Sequence, residues 1–504
     1  GVDIMVEATE IAKLRLFLKM VAVVDADRRA PNLGLDPLPD IDFNIRCGNA
    51  LVGYATQAEL ERGIAFSDFF TVQEFRDKIT EEMQKVARAY DVFKTIQLRQ
   101  AEDMAAFAGA KSELKARLTA LDELLNRQMY GAVESTTDYD AWLRSHQPFH
   151  WLAEFYEIIN DRGGFDVIIG NPPYVEISKN RVEYNLSNYI TKYRDLYGYI
   201  LTRVASLSRD FINIGMIIPI SFNSTDGFVK LFKYYMSSAM YISCYADSAR
   251  MFQVTKRLSI VLKLKGISKD VNITKYIKCS EGMQVRLANT PYTSLRNNNF
   301  YYNDIPAKIS SSIEKNILEK LMSKSDRTIA NYIQKDSSYK IYYTRSIRNF
   351  RPFYDYPICH LYEDGSIKEP TERKEFPVSQ IAYKIISAYL NSNLVFMFFC
   401  LFTDVRNINP GMVLSIPLSE SLLEDTVLNN LNDLLMEDYE KNKIARYNRS
   451  NRCTEFYYLP KLSKPIIDEI DKILAVHYGF TEEELDFIIN YDIKYRMGDE
   501  LNEE

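Results

Sequence analysis

The sequence predicts an α/β fold in which a mostly parallel, doubly wound sheet is followed by a second region of mixed helices and strands. Short and almost wholly apolar runs such as "FDVIIG" alternate with helical patterns through the first half of the chain. Such runs are typical of strands that are covered on both faces of a parallel sheet. After Gly266 the composition changes, because Tyr, Asn, Ser and Lys become dominant. The change predicts a boundary near residue 268.

The chain opens on a predicted strand–helix unit. Residues 2–5 form a short apolar run, and apolar residues then recur at helical spacing over residues 8–21. A loop rich in Pro and Asp leads to the strand-like stretch "FNIRCGNALVGYA". Residues 71–128 are charged and contain no Pro, which predicts a long helical hairpin that turns near Gly109. This hairpin is the core of a predicted helical insert at about 56–148.

Alternation then returns and predicts the rest of the first sheet. The stretch "HWLAEFYEIINDRGGFDVIIG" predicts a helix, a turn and a buried strand. A helix and a strand that ends at Pro219 are predicted for "DLYGYILTRVASLSRDFINIGMIIPISF". The segments "GFVKLFKYYMSSAMYISCYAD" and "RLSIVLKLKG" continue the same pattern.

The region from residue 269 to 504 is predicted to be α+β, with β-like runs such as "YKIYYTRSIRNF" and a helical segment at about 420–504. Its longest apolar run, "LVFMFFCLF" from Leu394 to Phe402, is too short to span a bilayer. We therefore expect a buried helix or strand there and no membrane partner. The acidic C-terminal tail is predicted to fray.

Cysteine and charge patterns narrow the class of protein. The six cysteines are scattered without a CxxC pair and there are four histidines, so the sequence predicts no metal site and a reducing cytoplasm. The net charge is −6, but residues 171–360 carry 28 Lys and Arg against 14 Asp and Glu. That stretch is therefore about +14 and the remaining chain about −20. Such asymmetry predicts one basic face for a polyanion, although an uneven solvated surface would give the same count.

The apolar run "FDVIIG" continues directly into Asn171-Pro172-Pro173-Tyr174. Two prolines stop a strand and stiffen the backbone, so these residues form an extended loop at a strand end. The side-chain oxygen of Asn171 and the carbonyl of Pro172 can accept both N–H groups of an aromatic amine. Accepting both would release the nitrogen lone pair from the ring, and Tyr174 can stack on a flat base. Strand ends are also where α/β sheets bind their ligands.

With its flanks, "GGFDVIIGNPPYVE" after "HWLAEFYEII", this motif resembles that of N6-adenine DNA methyltransferases of the Eco57I-like, type IIG restriction–modification group. The resemblance implies a class I methyltransferase with a Rossmann-like sheet in residues 1–268 and a target recognition domain in residues 269–504. It implies S-adenosylmethionine as the methyl donor and double-stranded DNA as the partner. It also implies that the cytoplasm is bacterial or archaeal. No metal is implied for methyl transfer, and Mg²⁺ only for an upstream nuclease domain.

The resemblance assigns roles to residues of three further segments. In "GVDIM", Asp3 would bind the ribose of the cofactor, with Ile4 beside it. The segment "NIRCGNALVG" would contact the cofactor's adenine through Cys47, Gly48, Asn49 and Ala50. Many relatives have Asp in place of Asn49, and the Asn49 amide would still accept from the N6 amine of the cofactor. Asn171 and Pro173, with Asp195 and Tyr197 of "DLYGYILTR", would line the methionine side. Phe252 would stack on the extruded base opposite Tyr174.

The glycine-rich first motif of the family is absent from the sequence. We therefore expect this chain to be the C-terminal part of a longer polypeptide, which includes that motif and in some relatives a nuclease domain. The isolated chain is then expected to be impaired in activity. Restriction or phage-defence subunits are further partners that the resemblance allows.

The predicted DNA contacts are cations of the basic stretch. They are Lys256, Arg257, Lys340, Arg345, Arg348 and Arg351. Arginine can read guanine in the major groove, whereas lysine more often neutralises phosphate. Two alternatives stay open at this point: a non-catalytic DNA-binding fragment, and a protein glutamine N5-methyltransferase, which uses the same four-residue loop.

Overall fold

The computed structural model describes the whole chain except residues 36–37, 65–68, 98–102, 133–136, 179–181, 183, 187–188, 250–255, 266–268, 279–290, 297–299, 346–351, 371 and 494–504. The chain divides into two compact units. Unit 1 consists of Gly1–Ile218 with Leu262–Gly266, and unit 2 consists of Pro219–Val261 with Ile267–Glu504.

Unit 1 is mainly helical around a few strands. Its strands are Val2–Asp3, Arg46–Cys47, Phe165–Gly170 and Ser208–Pro219, the last of which ends at the unit boundary. Its α-helices are Val6–Ala22, Gln57–Ile64, Phe69–Gln97, Met104–Gly131, Tyr139–His146, Trp151–Glu154 and Leu196–Leu207, with a 3-10 turn at Pro31–Gly34 and a π-helical turn at Glu157–Asp161.

The predicted opening strand and helix are both present. Val2–Asp3 pairs in parallel with Arg46–Cys47, which is the only part of the strand-like stretch "FNIRCGNALVGYA" that forms a regular strand. The helix Val6–Ala22 buries only Thr9, and the apolar side chains of its predicted inner face are exposed. Helical periodicity therefore located the helix correctly but not its degree of burial.

The predicted helical hairpin is confirmed, but its turn is not at Gly109. The two helices are Phe69–Gln97 and Met104–Gly131, so Gly109 lies inside the second helix. Asp103 begins that helix by accepting a hydrogen bond from the N–H of Ala106 at 2.8 Å. Glycine has open space around it at position 109 and is tolerated there. Leu114, Leu121 and other apolar residues of the hairpin form the main core of this unit.

The strand before the Asn-Pro-Pro-Tyr loop is present, but it is not buried. Phe165–Gly170 pairs in parallel with Ser208–Pro219, so the predicted helix–strand unit that ends at Pro219 is also confirmed. Val167 and Ile169 of the first strand are 57% and 79% exposed. The expectation of a buried strand was wrong for the described residues, because no other described element covers these two side chains.

Unit 2 contains eight described α-helices and numerous short strands. The helices are Val229–Tyr235, Ser312–Lys324, Tyr383–Leu390, Asn393–Phe402, Pro410–Leu414, Thr426–Asn442, Lys464–Tyr478 and Glu482–Ile489. Short 3-10 turns occur at Ile220–Asn223, Asp226–Phe228, Asp247–Ala249, Ile329–Tyr332 and Glu420–Glu424. The strands are Met240–Tyr245, Leu258–Lys263, Val271–Ile277, Thr293–Ser294, Tyr301–Tyr302, Ile305–Pro306, Arg327–Thr328, Lys340–Thr344, His360–Tyr362, Ile367–Lys368, Arg373–Pro377, Pro417–Leu418, Ile444–Asn448 and Cys453–Tyr457. The last two residues of Leu258–Lys263 belong to unit 1.

The largest sheet is mixed. Its six strands follow the order Phe165–Gly170, Ser208–Pro219, Leu258–Lys263, Met240–Tyr245, Val271–Ile277, Thr293–Ser294. Met240–Tyr245 pairs in parallel with Val271–Ile277, and the last pair is antiparallel. The α/β class is thus confirmed in the form of a mixed sheet with many helices, and the Rossmann-like winding stays a prediction.

The apolar run at Leu394–Phe402 lies in the helix Asn393–Phe402, which is almost wholly buried, as predicted. Among the described residues, no single helix has the length and apolar composition to cross a membrane; Tyr383–Leu390 and Asn393–Phe402 meet those criteria only when taken together, with a 63° bend between them. Within residues 420–493, three helices are accompanied by the antiparallel hairpin Ile444–Asn448 and Cys453–Tyr457.

Candidate active site

The Asn-Pro-Pro-Tyr loop leaves the end of Phe165–Gly170 with its asparagine exposed. The side-chain oxygen of Asn171 accepts a hydrogen bond from the hydroxyl of Tyr174 at 2.5 Å. An amide oxygen has two lone pairs, so a second acceptor position stays available on Asn171. The loop thus orients the Asn171 amide through its own tyrosine.

Tyr174 is tied to the neighbouring strand as well as to Asn171. Its hydroxyl lies 2.9 Å from the carbonyl oxygen of Ile217, near the end of Ser208–Pro219. A phenol has one proton, and therefore it donates to only one of these two acceptors at a time. Burial raises the pKa of Tyr174 to about 12, so the hydroxyl stays protonated and keeps its donor role at neutral pH.

The backbone after Tyr174 runs beside the start of the helix Leu196–Leu207. The N–H of Leu196 donates to the carbonyl of Val175 at 2.9 Å, and Glu176 bridges to Asp195 in antiparallel fashion. This pairing places Asp195 beside the backbone that follows the loop, and the fully buried Tyr197 lies two residues further along the chain. The sequence expectation that "DLYGYILTR" is a helix near the loop is thereby consistent with the backbone.

Asp3 and Cys47 are partners in the parallel strand pair, and both are exposed. The N–H of Gly48 donates to the carbonyl of Asp3 at 2.9 Å, and the N–H of Met5 donates to the Asp3 carboxylate at 2.8 Å. The thiol of Cys47 lies 3.5 Å from the carbonyl of Ile4, whose side chain is exposed. These residues therefore share one end of a two-stranded sheet.

Asn49 is buried, with 3% of its surface exposed, and its two amide atoms differ in their bonding. Its oxygen accepts the N–H of Leu51 at 3.1 Å. Its nitrogen is buried and has no hydrogen-bond partner among the described residues. The N–H of Leu51 is a donor and needs an acceptor, which the amide nitrogen of Asn49 cannot be. The contact with Leu51 therefore shows which of the two amide atoms of Asn49 is the oxygen. The unpaired group of Asn49 is therefore a donor.

The turn at Gly48 and Asn49 is shaped by contact with Phe149. A Cβ at Gly48 would lie 2.9 Å from the Phe149 side chain, and one at Gly53 would lie 2.1 Å from the Phe149 carbonyl oxygen. Gly53 also has a positive φ of 127°, which residues other than glycine rarely adopt. The half-buried Ala50 accepts a hydrogen bond on its carbonyl from the indole of Trp151 at 3.1 Å.

Arg203 is the main residue of the site region that the sequence did not reveal. It is 5% exposed and pairs with the carboxylate of Glu59 at 2.6 Å. Its guanidinium also donates to the carbonyls of Leu51 and Gly53, each at 3.3 Å. One side chain from the helix Leu196–Leu207 thus fixes the backbone that follows Asn49. No periodicity marks such a residue, because a buried arginine interrupts the apolar pattern.

His150 forms a second buried support. Its Nδ1 accepts the N–H of Tyr54 at 3.1 Å, and its Nε2 lies 3.0 Å from the side-chain oxygen of Asn126. Burial lowers its pKa to about 3, so the ring is neutral, with the proton on Nε2. The "HW" flank of the motif is therefore a scaffold that joins residues 50–54 to the helical hairpin.

Apolar packing links the two halves of the candidate site. Leu51, Leu196 and Tyr199 form one buried cluster, and Val175 and other partly buried residues pack against it. Leu51 lies two residues after Asn49, and Val175 directly follows Tyr174. The structure therefore brings the Asn49 turn and the Asn-Pro-Pro-Tyr loop onto one core within unit 1.

The predicted DNA-contacting cations of unit 2 differ from one another. Arg257 donates to the carbonyl of Asp404 at 2.7 Å and lies 3.5 Å from the carboxylate of Asp247, whereas Lys256 is exposed. Lys340 pairs with Glu375 at 2.5 Å. Arg345 is exposed at the end of Lys340–Thr344 and makes no ion pair with a described residue. Phe252, Arg348 and Arg351 lie outside the described residues.

Comparison with known proteins identifies the family. The model of the Eco57I restriction-modification methylase family matches residues 1–254, which is just over half of the chain. The chain belongs to this family. The matched residues include the Asn-Pro-Pro-Tyr loop, Asp3 and the Asn49 turn.

A curated relative from Methanocaldococcus jannaschii is named "Putative type II restriction enzyme and methyltransferase". It is 28% identical over 266 residues, and the match covers 44% of this chain but only 22% of the relative. The chain therefore spans a small part of the relative's length.

Solved structures of restriction–modification proteins are also similar, at low scores. The type IIG restriction endonuclease BpuSI is 11% identical with a TM-score of 0.25, over 78% of this chain and 62% of that chain. A nuclease-deletion mutant of the type ISP enzyme LlaGI, in complex with a DNA substrate mimic, is 12% identical with a TM-score of 0.25, over 50% and 24% of the two chains.

Proposed function

We propose that the chain carries the catalytic part of a site-specific DNA methyltransferase that methylates N6 of an adenine extruded from duplex DNA. One observation carries the proposal. The exposed Asn171 sits on a proline-stiffened loop at a strand end, and Tyr174 holds its amide oxygen with one acceptor position to spare. Membership of a restriction-modification methylase family supports DNA as the substrate.

S-adenosylmethionine is the cofactor that we propose, and the residues present fit it. The buried, unpaired amide nitrogen of Asn49 needs an acceptor, and a purine ring offers ring nitrogens at its edge. The carboxylate of Asp3, exposed at the strand end, can accept from ribose hydroxyls. When bound, the cofactor supplies an electrophilic methyl group. We propose that seven further residues line the same site: Ile4, Cys47, Gly48, Ala50, Pro173, Asp195 and Tyr197.

The chain's own residues would prepare the amine for attack. We assign the Asn171 oxygen and the Pro172 carbonyl as acceptors for the two N–H groups of the target adenine. Two acceptors favour a nitrogen lone pair that is no longer delocalised into the ring. Asn171 is neutral, so it needs no shifted pKa for this work. Catalysis of this kind consists mainly of positioning and polarisation.

The target base would leave the duplex before reaction, which costs a few kcal/mol of unstacking. The ring of Tyr174 is proposed to stack on the base, and its hydroxyl contacts with Asn171 and Ile217 would hold the ring in place. Phe252 stays the proposed second stacking residue. Residues 1–268 are proposed as the catalytic domain and residues 269–504 as the target recognition domain. Restriction–modification and phage defence are both consistent with this activity.

The test is methyl transfer by the complete protein with radiolabelled S-adenosylmethionine and duplex DNA, followed by mass spectrometry of the digested nucleosides. We expect N6-methyladenine. Asn171→Ala should lower turnover on the order of 10²-fold or more, because it removes one polarising contact, while DNA binding is largely kept. The exposed Asn44 of the same unit provides a matched control, and Asn44→Ala should be as active as the unchanged protein.

Three results would contradict the proposal. Label in a protein glutamine instead of DNA would favour the alternative methyltransferase. DNA binding without cofactor binding would favour a non-catalytic fragment. Near-normal turnover of Asn171→Ala would remove the assigned role of the loop.

A further inference from the structure

A side-chain cluster in unit 2 has the composition of a transition-metal site. His360 lies in the strand His360–Tyr362, and Cys453 and Glu455 lie in Cys453–Tyr457. One ligand atom from each residue lies within 4.8 Å of the other two, and the His360 Nδ1 and Cys453 Sγ atoms are 4.0 Å apart. No sequence motif marks this cluster, because 93 residues separate the histidine from the cysteine.

The sheet register puts the three side chains on one face. The two strands are antiparallel, with Tyr362 opposite Cys453 and Leu361 opposite Thr454. Directly opposed residues share a face, and so do residues two apart on one strand. His360 and Glu455 therefore lie on the same side as Cys453. Rigid paired strands, rather than a mobile loop, hold all three.

The thiol of Cys453 is the most deeply buried of the three side chains. It is 0% exposed, and its contact with His360 is at the outer limit of a hydrogen bond to sulfur. His360 and Glu455 are half-buried and lie nearer to solvent. Two ligands of a tetrahedral zinc ion are roughly 3.5 Å apart, since each lies about 2.0–2.3 Å from the metal. The 4.0 Å and 4.8 Å separations therefore exceed ligand spacing by about 0.5 Å and at most about 1.3 Å.

Hydrogen bonds from neighbouring side chains orient the Glu455 carboxylate, as they commonly do for carboxylates that bind a metal. The hydroxyl of Tyr457 donates to Glu455 Oε2 at 2.8 Å, and the amide of Asn448 donates to Oε1 at 2.7 Å.

Two cations on the same face are held away from the cluster. Arg446, opposite Glu455, has its guanidinium over the ring of Tyr457 at 5.2 Å from the centroid. Lys368, opposite His360, has its ammonium over the ring of Tyr362 at 4.7 Å. Such cation–π contacts leave the carboxylate and imidazole available to a further positive charge.

We propose that His360, Cys453 and Glu455 bind one zinc-class transition-metal ion, with a fourth position open to water. A thiolate and an imidazole select zinc, cobalt or iron over magnesium and calcium, which prefer oxygen ligands. The ion would join His360–Tyr362 to Cys453–Tyr457 in the middle of the four-stranded sheet. This site is separate from the residues proposed for methyl transfer.

The test uses the complete protein without a histidine tag, reduced, loaded with Zn²⁺ and then desalted. Elemental analysis should find one zinc per chain. Loading with Co²⁺ instead should give a thiolate-to-metal charge-transfer band in the near ultraviolet. Cys453→Ser should abolish the band. Cys359 is a half-buried cysteine next to His360, and the control variant Cys359→Ser should keep the band.

Glu455→Gln guards against a variant that fails to fold, because glutamine preserves the size of the side chain and much of its hydrogen bonding. It should lower Zn²⁺ affinity at least tenfold, with an unchanged circular dichroism spectrum. A folded protein that retains no zinc after loading would overturn the proposal. So would an undiminished cobalt band in Cys453→Ser, or equal affinity in Glu455→Gln.

Discussion

The candidate site of unit 1 and the predicted DNA-contacting cations of unit 2 differ in whether their polar atoms are available to a ligand. In unit 1, backbone groups and scaffold residues hold the site side chains and leave single atoms available, such as the Asn49 nitrogen and one acceptor position on Asn171. In unit 2, Arg257 and Lys340 are already paired with protein oxygens. The residues predicted from short motifs thus keep polar atoms available, whereas a count of charges along the chain does not show which charges are already paired.

The scaffold of unit 1 provides the prediction with the largest effect. Arg203→Met should lower the free energy of unfolding by about 3 kcal/mol, because Glu59 and the carbonyls of Leu51 and Gly53 would lose a buried cationic donor. Urea unfolding would measure the change as a lower midpoint at unchanged slope.

Arg194→Met is the matched control. Arg194 pairs with Glu176 at 2.6 Å, but its side chain is 61% exposed, and exposed pairs contribute about 0–1 kcal/mol. Equal losses in the two variants would show that Arg203 does not fix the backbone after Asn49. The buried Arg203 and the exposed Arg194 would then contribute equally to stability.

The Asn49 amide provides the next prediction. Asn49→Ala should weaken S-adenosylmethionine binding about tenfold, because one hydrogen bond of roughly 1.4 kcal/mol is lost from a buried donor. Calorimetric titration of the complete protein would measure the dissociation constant.

Asn49→Asp sharpens the same prediction, because it keeps an oxygen for the N–H of Leu51 and replaces only the donor. We expect it to weaken binding as alanine does. Unchanged or tighter binding would instead show that position 49 accepts from the cofactor's amine, as the Asp of many relatives is expected to do. The amide of Asn49 would then have to turn over in the complex.

Local patterns predicted the elements and the loop, while burial and pairing depend on residues far apart in sequence. The strand–loop unit at residues 165–174, the helical hairpin and the buried helix at Leu394–Phe402 follow from composition and spacing. The exposure of Ile169 does not, because an apolar strand has the same sequence whether or not another element covers it. Gly109 led to a wrongly predicted turn, since an exposed position of a helix tolerates glycine at a modest cost.

The candidate site divides in the same way. Asn171, Tyr174 and Asp3 could be predicted because each lies in a short segment whose residue types match its chemistry. Arg203 and His150 could not, because their partners, Glu59 and Asn126, are distant in the chain. The availability of Arg345 and the pairing of Lys340 were equally invisible, since Glu375 lies 35 residues from its lysine.

The smallest effect is expected from the cations of unit 2, and it tests whether pairing decides their role. Arg345→Ala should reduce the slope of log affinity against log salt by about one unit, because each neutralised phosphate contributes about 0.9. Lys340→Ala should change the slope by less than half as much, since Glu375 already neutralises that ammonium. Fluorescence anisotropy of a labelled duplex over a salt series would measure both. Arg345→Ala on variant duplexes adds a second reading: relaxed preference at one base pair would assign base contact rather than phosphate contact. If both alanine variants lowered the slope equally, the Lys340–Glu375 pair must open on DNA, and pairing in the free chain would not predict which cations bind.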